Sequence, residues 1–122
     1  MFVVTNMVAQ NYCAAQTKLK PENCSYFQTI DKNSKIHEFI WVGYDRNGSL
    51  RWLDLMPNNK VLNLIEISRD EWSIHLQDFE TKQEFTADLF KLALETNNGS
   101  DKIMNVKDEY EYGKLGADYI KK

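Results

Sequence analysis

Apolar residues recur at helical spacing near the start of the chain. Val4, Met7, Val8, Tyr12, Ala15 and Leu19 fall three, four or one apart, which makes one apolar stripe on a helix spanning Val4 to Leu19. Thr5 or Asn6 can cap its start, Lys18 and Lys20 suit the negative end of the helix dipole, and Pro21 forbids continuation.

From Cys24 the period changes to alternation, and turn-forming clusters recur about every ten residues. A short strand over Ser25 to Asp31 ends in Asp31, Lys32, Asn33 and Ser34. Ile36 to Tyr44 is apolar on both faces, as a strand covered twice would be. Asp45, Arg46, Asn47 and Gly48 supply the positive-φ residues of a hairpin, and Ser49 to Met56 returns with Leu50, Trp52 and Leu53. Pro57, Asn58 and Asn59 stop that strand, Val61 to Ile67 makes the next, and Arg69, Asp70 and Glu71 turn the chain. Trp72 to Gln77 alternates most cleanly, with Trp72, Ile74 and Leu76 inward and Ser73, His75 and Gln77 outward. In Glu84 to Glu95, Phe85, Ala87 and Leu89 fit a last strand paired with Trp72 to Gln77, while Phe85, Leu89, Leu92 and Ala93 fit a helix. The pattern predicts a strand giving way to a short helix near Leu89. Asn97 to Ser100 reads as a linker, and the charged tail from Asp101 as a partly disordered or docked segment.

The predicted fold class is α+β: an N-terminal helix packed on a five- or six-stranded antiparallel meander sheet, with a short C-terminal helix or flexible tail. Residues 1–96 form the domain and 97–122 the linker and C-terminal tail. A chain of 122 residues with 43% hydrophobic positions can bury its own core. Cys13 and Cys24 are therefore expected as free thiols rather than as a needed staple, and the start lacks the basic flank of a signal peptide, so a cytoplasmic setting is expected.

Charge narrows the partners. The net charge of −3 disfavours a nucleic-acid footprint, and no long apolar run suggests a membrane span. Residues 66–122 carry thirteen acids against eight bases. Glu66, Asp70, Glu71, Asp78, Glu80 and Glu84 cluster at one expected end of the sheet, a field that can steer a basic partner.

Candidate chemistry is sparse. No Cys or His lies within four residues of another, so no metal is expected, and Asp45, Asn47 and Gly48 miss the spacing of a calcium loop. The glycines are dispersed and cradle no phosphate, so no cofactor is expected either. Cys13 with His37 or His75 could make a nucleophile and base, and Asp54 with Glu66 a carboxylate pair, but packed or solvated side chains account for each more simply. The first functional expectation is a noncatalytic protein-binding module of the inhibitor or immunity type, covering a basic effector through Glu66, Asp70, Glu71, Asp78 and Glu80. The alternative is a small-ligand-binding or enzymatic domain whose concave sheet carries His37, Trp41 and Trp52.

Overall fold

A computed structural model describes residues 19–108 of the chain. These form a closed antiparallel barrel of eight strands in chain order. The strands are β1 (Tyr26–Ile30), β2 (Ile36–Tyr44), β3 (Leu50–Leu55), β4 (Val61–Arg69), β5 (Ser73–Asp78), β6 (Glu84–Asp88), β7 (Ala93–Thr96) and β8 (Gly99–Lys107). Each pairs with the next, and β8 closes on β1 with Thr29 opposite Ile103.

The α+β expectation is thus overturned: the described fold is all-β, and the sheet closes on itself without free edges. The helix expected over Val4 to Leu19 falls almost wholly outside the described residues. No helix stands near Leu89. Leu89 sits in the turn after β6, buried, with its amide donating to the Trp72 carbonyl at 2.8 Å, and Leu92 takes φ +59° before β7 begins. The linker reading of Asn97 to Ser100 covers the β7–β8 hairpin and the start of β8. Among the described residues no helix is long and apolar enough to cross a membrane.

Alternation decides what lies inside. Phe27, Phe39, Trp52, Leu64, Ile74, Leu76, Ala87, Leu94 and Ile103 all point into the barrel, and Leu89 joins them from its turn. Eight strands leave an interior that side chains can just fill. Here the rings of Phe27 and Phe39 stack at 4.7 Å and Trp52 tilts against Phe27 at 5.7 Å. Burying each large side chain stabilises the fold by about 1.5–3 kcal/mol, so this aromatic layer is a principal support. The opposite parity of β1, β2 and β3 gives a second cluster on the outer face, Tyr26, Ile40, Val42 and Leu53. β2 is therefore buried on both faces, as its two-sided apolar pattern predicts.

One end of the barrel is plugged. Lys20, held extended by the proline after it, leads into a 3-10 turn at Pro21–Asn23, in which the Cys24 amide donates to the Pro21 carbonyl at 3.1 Å. Pro21 and Cys24 are buried there. Strands β2, β4, β6 and β8 all end on this rim, because neighbouring strands are antiparallel.

Candidate functional site

Three irregularities in the ladder fall near the plugged end, one each in β2, β4 and β8. In β2, Trp41 faces Trp52 but Gly43 faces Arg51, so Val42 is an extra residue, and Gly43 takes φ +94°. In β4, Glu66 faces Leu76 and Ser68 faces His75, so Ile67 is extra. In β8, one residue too many lies between Met104 and Lys107, where Asn105 takes φ +53°.

A bulge reverses the facing of every residue beyond it. Tyr44 returns opposite Leu50, which shares the inward parity of Trp52. Arg69 pairs with Ile74, an interior position. Val106 packs on the core, and Asp108 reaches the Ser25 hydroxyl, which donates to it at 3.3 Å.

The result is a cleft of about 340 Å³ at the barrel mouth, lined by Glu22, Cys24, Ser25, Trp41, Tyr44, Leu50, Arg69 and Asp108. A second cleft of about 250 Å³ adjoins it, shares Glu22 and Arg69, and adds Lys20, Pro21, Asp70 and Glu71. The first volume lies at the lower end of the range that takes small organic ligands.

A buried polar chain forms the floor. The Trp52 indole N–H donates to Glu66 Oε1 at 2.9 Å, and Arg69 grips the same carboxylate twice, through Nε at 2.6 Å and NH2 at 3.0 Å. The remaining Arg69 nitrogen donates to the Pro21 carbonyl and so ties the plug to β4. Cys24 is a free thiol, pushed up to about 12 mainly by burial, so it stays protonated and unreactive near neutral pH.

The expected site residues separate. Trp41 lines the cleft, Trp52 lies fully buried beneath it, and His37 stands four residues before Trp41 on β2, toward the opposite end. His37 is bracketed by two carboxylates: Nδ1 meets Asp54 at 3.2 Å and Nε2 meets Asp31 at 3.0 Å. The bond to Asp54 is the main reason its pKa rises to about 9, against the pull of desolvation and with Asp31 assisting. Burial holds the Asp54 carboxyl above its ordinary value, and the imidazolium offsets part of that. A ring protonated at neutral pH, with both nitrogens engaged, is no general base. Neither of the two clefts at the plugged end includes His37.

The acidic group is also divided. Asp70 and Glu71 occupy the β4–β5 turn on the plugged rim, whereas Asp78, Glu80 and Glu84 lie at the other end of β5. Glu66 is buried under Trp52 and Arg69, and Asp78 is buried while its Oδ1 accepts the Glu80 amide at 2.9 Å. Neither is a surface charge. His75 and Asp70 meet on the exposed side at 3.1 Å.

Arg69, Tyr44, Glu22 and Asp108 were not among the expected site residues. The available signal was Gly43 within an otherwise unbroken strand, which marks a bulge and a change of face. Among the described residues no group of three or more His, Cys, Asp or Glu could hold a metal ion. Comparison with protein-family models, with curated proteins and with solved structures gave no match.

Proposed function

We propose that this chain is a noncatalytic binding barrel that takes a small ligand in the cleft at its plugged end. The observation that carries this reading is the three bulges converging on that cleft. Bulges recur beside functional sites because they re-aim side chains, and here they turn Tyr44, Arg69 and Asp108 toward one space. The closed sheet weakens the protein-binding reading, since that reading drew on free edge strands and on one continuous acidic patch. Gln28, Glu38, Gln77 and Glu84 on outward positions break the continuous apolar band that a membrane barrel needs, which supports a water-soluble setting such as the cytoplasm.

A screen of small organic compounds by thermal shift tests the proposal. Binders should raise the melting temperature of the full chain, and Trp41→Ala should abolish the shift. A shift that survives Trp41→Ala places the ligand elsewhere and defeats the proposal, as does a screen without binders.

A second reading keeps the protein partner but moves it to the same rim, where Tyr44, Ile67 and Phe90 are 67%, 49% and 57% exposed. Under that reading, reversing Asp70 and Glu71 to Lys slows association with a basic protein in a salt-sensitive manner. Under the first reading, the same reversal leaves occupancy of the larger cleft by an uncharged ligand within about twofold, because neither residue lines it.

A further inference from the structure

We infer that the plugged-end cleft selects a small organic cation, an ammonium group carried on an aromatic or branched apolar body. This rests on the ligand-binding reading above and adds the chemistry of what is bound.

Charge at the cleft favours a cation. Of the residues lining the larger cleft, Arg69 carries the positive charge, and Glu22 and Asp108 carry negative charge. The charge of Arg69 is already paired. Its guanidinium is held twice by buried Glu66, and its remaining nitrogen donates to the Pro21 carbonyl. The pair Arg69 and Glu66 is neutral as a unit, which leaves Glu22 and Asp108 uncompensated among the described lining residues.

Among the described residues no base forms an ion pair with either of them. Lys20 lies 3.7 Å from Glu71 and 5.5 Å from the Trp72 ring centre, directed along the second cleft. Lys107 lies over the ring of Tyr26, on the outer face of β1. The Ser25 hydroxyl donates to Asp108 but adds no charge. Near neutral pH the Cys24 thiol adds none either. Glu22 makes no ion pair or side-chain hydrogen bond among the described residues.

The walls suit the rest of such a ligand. Trp41, Tyr44 and Leu50 offer aromatic and branched apolar surface, and ring faces attract an ammonium through their quadrupoles. Carboxylates at the rim and rings behind them would hold the charged head near water and the body against the barrel. An anionic ligand would meet repulsion from Glu22 and Asp108, with no unpaired guanidinium to offset it.

Three probes of one shape and different charge test this: 2-phenylethylammonium, 2-phenylethanol and phenylacetate, titrated calorimetrically into the full chain at pH 7. The ammonium should bind at least tenfold more tightly than the alcohol, and phenylacetate more weakly than either. Glu22→Gln combined with Asp108→Asn should remove the preference and bring the ammonium to the affinity of the alcohol in the same variant. Both carboxylates are exposed, so an unaltered melting temperature checks that the double variant folds. Equal or tighter binding of the alcohol or of phenylacetate overturns the cation inference and leaves the ligand-binding reading standing. So does a double variant that keeps the preference for the ammonium. If no probe binds, the cation inference falls, and the ligand-binding reading is decided by the compound screen.

Discussion

Glu66 illustrates how a residue's place in the ladder overrides its type. As an acid near other acids it reads as surface charge, yet Leu62, Leu64 and Glu66 share one parity of β4 and the last of them points into the barrel. The carboxylate is tolerated there because Trp52 and Arg69 satisfy both of its oxygens. Removing it leaves a part-exposed guanidinium without its carboxylate and a buried indole N–H unpaired, so Glu66→Ala should destabilise the barrel by about 1–3 kcal/mol in urea unfolding. A loss under about 1 kcal/mol would contradict the buried relay. His37 makes the complementary case: its facing was legible from the alternation with Phe39 and Trp41, but its partners were not. Asp31 lies in a turn and Asp54 on the next strand, and pairing alone brings them to the ring. Because folding raises the His37 pKa to about 9 from 6.5, its contribution is complete below about pH 6.5 and is lost as pH rises through about 9. The wild type should lose on the order of 1–2 kcal/mol over that window after allowance for solvent screening, and His37→Gln should lose much less. Parallel unfolding curves of the two proteins across pH 6 to 9.5 check this, and coincident pH slopes would remove the imidazolium from the account.

At the scale of elements, the first five strands were legible, and so was the Asp45 to Gly48 hairpin, because apolar alternation there is dense and the turn residues are distinctive. The pairing of β6 with β5 was also present in the pattern as one of two readings. β7 and β8 were not, for a physical reason. β7 has four residues and one deeply buried side chain, Leu94, and β8 buries Ile103 alone before its bulge breaks the period. Strands that donate little to the core leave little trace in the hydrophobic pattern, yet their backbone bonds are what close the barrel. The bulges were equally hidden, since an inserted residue looks like a lapse in alternation. Gly43 permits one of them: at φ +94° a side chain is strained even though an added Cβ would meet nothing within 4 Å. Gly43→Ala should therefore cost about 1 kcal/mol through the backbone alone. The same substitution should weaken ligand binding as Tyr44 loses its aim. Melting temperature and ligand titration measured together check this, and an unchanged protein in both would show that the bulge does not depend on glycine.

Over the whole molecule, closure reorganises the functional question. A sheet with free edges invites a partner strand, whereas a closed barrel offers its two ends. The charges that looked like one patch are spread over both ends, with Asp70 and Glu71 on one rim and Asp78, Glu80 and Glu84 on the other. Sequence distance misled here because each strand carries the chain from one end to the other. The interior is filled by Phe27, Phe39 and Trp52, so no ligand threads the barrel. The cleft at the plugged end stands apart because bulged strands, a part-buried ion pair and a 3-10 turn all meet there. The most direct test is a nitrogen-15 amide map of the full chain titrated with 2-phenylethylammonium. The account predicts shifts concentrated at Glu22, Trp41, Tyr44, Leu50, Arg69 and Asp108, with His37 and Asp54 unmoved. Shifts centred on His37 and Asp54, or spread evenly over the surface, would contradict it.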